Sequence, residues 1–220
     1  MTLDWSVVIR HADLLFLGFG VTLLAVALAF TFGSAVGLVV CIGSRASGQL
    51  PRLAARTYVN LFRNIPEALL IFWAYFCLPQ LLPLELSGFA TGVLALTISA
   101  GAYLGEIFRA GVAGVPDGQW EAGRALGLSR GALWRCVILP QAIARTMPML
   151  VNYSTELLKF SALLSTVGVA ELVHTATTLG GQNFRYFELY STVALVFFCV
   201  IFPLSLYARH RGGRRLILQN

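Results

Sequence analysis

The chain has 220 residues and a net charge of +6, and 57% of its residues are hydrophobic while only 12% are charged. A soluble domain carries about 25% charged residues, so this sequence lacks the polar surface that water requires. Its mean hydropathy is +0.76, and the apolar residues come in long blocks. These features exclude an ordinary soluble protein and indicate a protein of the lipid bilayer.

Five segments are apolar enough to cross a membrane, since about 20 such residues span the hydrocarbon core. No segment alternates like a strand of a membrane barrel, and backbone groups in lipid must pair within their own segment, so each span is expected to be a helix. The sequence therefore predicts an all-α integral membrane protein with about five transmembrane helices, at residues 14–42, 57–84, 88–110, 147–169 and 189–207.

Arginine residues collect at one side of these predicted spans. With an odd number of spans, the first break, the third break and the C-terminal end of the chain lie on the same side of the membrane. These three regions contain Arg45, Arg52, Arg56, Arg63, Arg109, Arg124, Arg130, Arg135, Arg145, Arg209, Arg211, Arg214 and Arg215. Positive residues favour the cytoplasmic side. We therefore expect an outside N-terminus and a cytoplasmic C-terminus, and because the arginines lie at span ends, no nucleic-acid partner.

The cysteine residues and the N-terminus suggest no additional feature. Cys41, Cys77, Cys136 and Cys199 have no paired spacing, so neither a disulfide framework nor a metal site is expected. The first apolar block is too long for the core of a cleavable signal, and it has no basic lead-in. The chain is thus interpreted as a single membrane domain over residues 1–220.

The one long polar stretch, residues 115–140, is predicted to form two short helices joined by a tight turn. Asp117 is suited to cap the first helix, and Gly127 lies where a left-handed residue ends it. Ser129 is suited to cap the second helix, which Pro140 is expected to end.

Two interpretations of residues 115–140 remain open from the local pattern. The segment can be a solvated connector between spans, or it can dock on a partner. Its apolar residues Trp120, Leu126 and Trp134 would be costly in water, which favours a partner surface.

This stretch resembles the EAA signature of the permease subunits of ATP-driven importers. The signature reads Glu-Ala-Ala, three residues, Gly, nine residues, Ile, one residue, Leu-Pro. Glu121-Ala122-Gly123, then Gly127, then Val137 to Pro140 match its spacing. Gly123 replaces the second alanine and Val137 replaces the isoleucine, both conservative departures.

Further segments, in order along the chain, are similar to permeases of polar amino acids of the histidine, glutamine and glutamate type. They are residues 60–66, which resemble the family's Phe-Arg-Gly-Thr-Pro segment, then 102–112, 116–122, 157–161 and 167–172. The stretch from Tyr58 to Pro66 leans towards the glutamate and aspartate permeases.

The resemblance implies a type I importer architecture with alternating access. It implies a second permease subunit, identical or homologous, a pair of ATP-binding subunits, and a periplasmic or lipid-anchored substrate-binding protein, all at the bacterial inner membrane. The residues implied in coupling to the ATPase are Glu121, Ala122, Gly123, Gly127, Leu139 and Pro140. No phosphate-binding Gly-rich Lys-Ser/Thr loop occurs in the chain, so ATP and magnesium are expected on the partner, with no cofactor and no catalysis here.

Ionisable residues at membrane depth are candidate pathway residues because their burial in lipid is costly. Arg63 and Glu67 are four positions apart and are predicted to pair on one helix face, as a structural pair or a substrate contact. Glu156 and Lys159 are either a neutralising pair or part of the pathway. The related permeases have an acid directly after this lysine, where the present chain has Phe160.

Other polar positions receive simpler interpretations. Glu106 and Arg109 are expected to be interface or gating charges at the cytoplasmic end of the third span. Glu171 and His174 are interpreted as plain surface, although contact with the binding protein stays open. Residues 180–181, two glycines, predict a turn.

Two other classes of protein compete with a coupled permease subunit. A self-contained secondary transporter or channel of small polar solutes is one, but internal repeats, which are common in such transporters, are not evident. A membrane scaffold or intramembrane enzyme is the other, but the spans hold no paired His/Glu metal motif and no Ser-Lys or paired-Asp arrangement.

Overall fold

The computed structural model describes residues 3–81 and 86–216, with side chains described up to residue 210. This part of the chain is helical. In chain order the helices are α1 (Ser6–Arg10), α2 (Ala12–Ser44), α3 (Gln49–Arg63), α4 (Glu67–Phe76), α5 (Leu78–Leu81), α6 (Gly88–Ala113), α7 (Asp117–Ala125), α8 (Arg130–Ala132), α9 (Leu139–Ser161), α10 (Leu172–Asn183) and α11 (Tyr186–Leu216), with a π-helical turn at Leu133–Ile138 and a 3₁₀ turn at Ala162–Val167.

Three described helices are individually long and apolar enough to cross a membrane: α2, α6 and the part of α11 from Tyr186 to His210. A bent pair, Arg130–Val167 with Leu172–Asn183, meets the same criterion as one broken span, with a bend of 46°. The short apolar helix α4 adds a further candidate segment. The count of five spans stays a prediction.

The predicted second span, residues 57–84, is broken. Helix α3 ends at Arg63, α4 begins at Glu67, and the short α5 follows, while residues 82–84 of this prediction lie outside the described part of the chain. Pro66 explains the break, because its ring disfavours helical backbone at the preceding Ile65.

Helices α2 and α6 pack backbone against backbone through small residues. A Cβ atom on Gly33 would lie 2.5 Å from the Cβ of Ala100, and one on Gly37 would lie 2.8 Å from the backbone nitrogen of Gly105. Helices in lipid associate largely by such close van der Waals packing. This contact forms the centre of the bundle, and buried residues of α4, α9 and the 3₁₀ turn pack onto it, including Ile71, Leu157 and Leu164.

The sequence suggested that Glu171 is a surface residue, but in the structure it is completely buried. Its Oε1 accepts a hydrogen bond of 2.8 Å from the His174 nitrogen, which caps α10, and its Oε2 accepts one of 3.3 Å from the Thr22 hydroxyl. Thr22 in turn accepts a bond of 3.2 Å from the Leu172 nitrogen. The buried carboxyl therefore joins α10 to α2.

Residues 180–181 do not form the predicted turn but lie inside α10. A Cβ on Gly180 would lie 2.6 Å from the ring of Tyr186. Gly180 is therefore explained by close packing of the Tyr186 ring. Helix α10 ends at Asn183, and its C-cap Phe184 adopts the left-handed conformation with φ 55°.

Candidate coupling segment and intramembrane charges

Residues 115–140, called here the coupling segment, begin with helix α7. Pro116 and not Asp117 occupies its N-cap, and no side chain bonds to the free amides there. The predicted cap by Asp117 is therefore wrong. Asp117 is the first helical residue, where its negative charge favours the positive end of the helix dipole.

The turn after α7 has the predicted glycine geometry. Gly127 adopts a left-handed conformation with φ 69°. For a residue that has a Cβ, this conformation is less favourable by about 1–2 kcal/mol of free energy. The Gly127 nitrogen donates to the Arg124 carbonyl at 3.0 Å, and the Leu128 nitrogen donates to the Gly123 carbonyl at 3.2 Å. This pair of bonds is a Schellman motif, which fixes the direction in which the chain leaves the helix.

Ser129 then caps the next helix as predicted, since its hydroxyl accepts a bond of 3.3 Å from the Ala132 nitrogen. The predicted end of that helix at Pro140 is wrong. Helical backbone continues from α8 through the π turn into α9, and Pro140 lies in the first turn of α9. Proline is tolerated in the first turn of an α-helix, and the change from π to α winding after Ile138 places Pro140 in that turn.

The inner side of the coupling segment is closely packed. A Cβ on Gly123 would lie 2.3 Å from Cδ1 of Leu133, so glycine allows α7 to sit directly on the helix after the turn. Trp120 and Trp134 meet edge to face, with their ring centroids 5.3 Å apart. Both rings are half-buried, whereas the sequence had suggested that they are exposed. Leu126 differs from them, because 79% of it is exposed.

The outer side of α7 is a continuous exposed face. It consists of Glu121, Ala122, Ala125 and Leu126. Three of these four side chains are apolar, and they lie beside the rigid glycine turn. Two of the four are alanines, which lose no side-chain freedom when a complementary protein surface covers them.

The coupling segment is joined to the membrane helices through a second small core. Val115, Leu133, Ile138 and Ala142 are buried in it together, and Val112 of α6 packs against them. A hydrogen bond of 3.1 Å from the Gln141 amide to the Gln119 side chain ties α9 to α7. The segment is thus attached firmly to both α6 and α9.

The predicted pair of Arg63 and Glu67 does not form. The break at residues 64–66 places the two residues on different helices, and no ion pair between them occurs in the described part of the chain. The Arg63 guanidinium lies instead over the Tyr103 ring, 5.2 Å from its centroid. Such a cation–π contact holds a positive charge beside an aromatic face.

Glu67 belongs to a polar cluster that sequence reasoning missed. Its Oε1 and the hydroxyls of Tyr153 and Ser99 are buried, and none of them has a partner at hydrogen-bonding distance within residues 3–81 and 86–210. Glu67 and Ser99 both lie close enough to Tyr153 to interact with it. Tyr103 stacks on Tyr153 with centroids 5.2 Å apart. Only helix packing brings α4, α6 and α9 together here, so no sequence spacing could have revealed the cluster.

Glu156 and Lys159 do pair, with 2.8 Å between the Lys159 Nζ and the Glu156 Oε1. Both side chains are nearly half exposed, at 41% and 49%. Glu156 also lines a groove of about 500 Å³ that includes Tyr103, Tyr153 and Arg209. The groove thus includes Tyr153 of the polar cluster and Tyr103, which stacks on it.

Glu106 and Arg109 form a two-bond ion pair near the end of α6, and the Arg109 Nε lies 2.8 Å from the Glu106 Oε2. The pair lies on one wall of a cavity between α2, α3 and α6.

Comparison with known families decides the identity of the chain. Residues 29–210 match the family described as "Binding-protein-dependent transport system inner membrane component". The chain belongs to this family. It is an integral membrane permease subunit of an amino-acid ABC transporter and is not itself the catalytic ATPase.

Named relatives cover nearly the whole permease. This chain is 33% identical over 219 residues to the glutamine transport system permease protein GlnP of Escherichia coli. The match covers 99% of this chain and 100% of the relative. It is also 30% identical over 205 residues to the arginine transport system permease protein ArtQ of Bacillus subtilis, and that match covers 93% of this chain and 94% of the relative.

Solved structures support the fold of the permease. A chain in the crystal structure of an amino acid ABC transporter with histidines superposes on this chain with a TM-score of 0.89 at 33% sequence identity, and the match covers 97% of this chain and 100% of that one. A chain of the MetNI methionine ABC transporter in an inward-facing form superposes with a TM-score of 0.71 at 22% sequence identity, and the match covers 92% of this chain and 98% of that one. This second likeness supports the fold alone. The predicted all-α fold with type I permease architecture is confirmed.

Proposed function

We propose that this permease moves a polar amino acid into the cytoplasm by alternating access, driven by ATP hydrolysis on a separate subunit. The relatives are named as glutamine and arginine permeases, which supports a polar amino acid and gives no support to the glutamate or aspartate preference suggested by the sequence. The substrate arrives from a periplasmic or lipid-anchored binding protein. The transport path lies between this chain and a second permease subunit.

The exposed face of α7 is the observation that carries the proposal. Glu121, Ala122 and Leu126 project outward beside the left-handed Gly127, while Gly123 and Leu133 hold the helix from behind. We assign this face to the ATP-binding subunit, which also holds the ATP and magnesium. The face lies on the cytoplasmic side, with the N-terminus outside and the C-terminus in the cytoplasm.

A direct mechanical route leads from this face into the membrane. The backbone from Arg130 to Ser161 is helical throughout, so α8, the π turn and α9 form one rod. Leu139 and Pro140 lie at the start of α9, and Glu156 and Lys159 lie near its other end. Movement of α7 is therefore transmitted to this rod through the Gly127 turn and the packing of Gly123 on Leu133, and along the rod to the intramembrane charges.

The substrate path is assigned to the side of the bundle that holds Arg63, Glu67, Glu156 and Lys159. Arg63 and Glu67 are both free of ion pairs among the described residues, and they offer one positive and one negative group. A free amino acid carries one positive and one negative charge, at its α-ammonium and α-carboxylate groups. Its ammonium and carboxylate groups are therefore matched by this combination.

Co-purification tests the docking role of α7. The permease and the ATP-binding subunit encoded with it are expressed together, and a tag on the permease is used for capture. Wild-type permease is expected to retain the ATPase, whereas Ala122→Glu, which places a charge in the apolar face, is expected to lose most of it. Gly131→Glu is the matched control, because a Cβ on the exposed Gly131 meets nothing within 4 Å.

Equal retention of the ATPase by both variants would contradict the assignment of this face. Substrate uptake by the purified permease in vesicles without any ATPase would contradict the whole proposal, and it would favour a self-contained secondary transporter.

A further inference from the structure

The cavity between α2, α3 and α6 is strongly basic, and its lining includes no residue of the coupling segment. It has a volume of about 380 Å³, and its charged lining consists of Arg45, Arg56, Arg109 and Glu106. Three guanidiniums against one carboxylate leave two positive charges in excess. The space corresponds to roughly a dozen water molecules at about 30 Å³ each, so a hydrated phosphate group fits.

Two of the cavity's arginines are available for a ligand. Arg109 is engaged by Glu106 through two bonds. The guanidiniums of Arg45 and Arg56 have no ion-pair partner within the described residues, and they come from separate elements, the C-cap of α2 and the middle of α3. Arginine on two sides of a cavity is suited to the oxygens of a phosphate.

The surroundings of the cavity are apolar and exposed. On α2, Val39 and Ile42 are each 70% exposed, and on α3, Leu53 is 63% exposed. Each lies within three residues of a cavity-lining residue. A ligand that joins a phosphate to long apolar chains therefore matches the site better than a free anion.

We propose that this cavity binds the headgroup of an anionic phospholipid, with its phosphate between Arg45 and Arg56. Ser44 and Asn60 line the same cavity and supply polar groups for the rest of the headgroup. Basic pockets between membrane helices are suited to anionic headgroups. The lipid holds the end of α2 against the middle of α3 at the membrane surface.

Native mass spectrometry of the full-length chain in a neutral detergent tests this site. The detergent presents no charged membrane surface, and the measurement needs no ATPase, so its outcome is independent of the transport proposal. Phosphatidylglycerol is titrated against phosphatidylcholine, and phosphatidylglycerol is expected to bind more tightly. Arg56→Gln and Arg45→Gln are each expected to weaken phosphatidylglycerol binding about fivefold.

Arg52→Gln is the matched control on α3, because Arg52 does not line the cavity and donates to the backbone oxygens of Ser47 and Gly48, each at 3.2 Å. Its phosphatidylglycerol binding is expected to stay at the wild-type level. An equal loss in Arg52→Gln would overturn the proposal, as would equal binding of the two lipids. Displacement of the lipid by glycerol phosphate at equal concentration would identify a soluble phosphate ligand and would also overturn it.

Discussion

Glu156 and Lys159 form an ion pair whose two side chains remain nearly half exposed. Where such a pair is exposed to water, as it is when it lines a transport path, it contributes about 0–1 kcal/mol to stability. A change in transport after their substitution therefore reports on the path of the substrate and not on folding. This makes the pair the most informative of the intramembrane charges.

Lys159→Met is predicted to reduce substrate uptake several-fold while the protein level in the membrane stays unchanged, because the substrate loses a positive group in the path. Uptake of labelled amino acid, normalised to the permease level, measures the effect. The double variant Glu156→Gln with Lys159→Met is the control. If it restores wild-type uptake, the lysine only neutralises its neighbour and does not line the path.

The residue scale also shows what sequence spacing can and cannot predict. The contact of Glu156 with Lys159 was predictable, because residues three apart meet on any continuous helix. Arg63 and Glu67 have an equally good spacing, but Pro66 breaks the helix between them. Glu171 looked like a surface residue because its partner Thr22 lies 149 positions away in the chain.

At the scale of whole elements, the packing of α2 on α6 depends on glycine. A methyl group on Gly37 would lie 2.8 Å from the Gly105 backbone nitrogen, and backbone cannot move aside as a flexible side chain can. Overpacking of this kind costs about 1–3 kcal/mol.

Gly37→Ala is therefore predicted to lower the thermal unfolding midpoint of the purified permease in detergent. Gly20→Ala on the same helix is the matched control, since a Cβ there meets nothing within 4 Å. Alanine in an open helical position is favoured over glycine by about 0.5–1 kcal/mol, so the control is expected to be neutral or slightly stabilised. A fall of equal size in both variants would show that the close contact is not responsible.

The elements of the coupling segment were only partly predictable. The glycine turn and the cap by Ser129 follow from local chemistry, and both are present. The continuation of the helix through Pro140 was not predictable, because a proline normally marks a boundary. The π turn before it is stabilised by tertiary packing of Leu133 and Ile138, which local sequence does not show.

At the scale of the whole molecule, the described helices connect the exposed face of α7 to the interior of the bundle. Val112 and Ala142 anchor the coupling segment to α6 and α9, and α9 extends to the region of Glu156 and Lys159. A rigid connection is required if closure of the ATPase is to change access in the membrane by rigid-body movement. The class of the protein and its broad layout could be predicted from the sequence, and Pro66 marks the break at residues 64–66 locally. The break at residues 168–171 could not be placed without the packing.

The most direct test of the account measures ATP-driven uptake by the assembled transporter after substitution of the turn glycine. Gly127→Val forces a β-branched residue into a left-handed conformation at a cost of about 2 kcal/mol or more, so the coupling segment is expected to lose its geometry. Uptake is predicted to fall to less than about a tenth of the wild-type rate, with normal membrane insertion. Gly131→Val, in an open helical position with nothing within 4 Å of its Cβ, is predicted to keep most of the activity. Normal uptake by Gly127→Val would contradict the account.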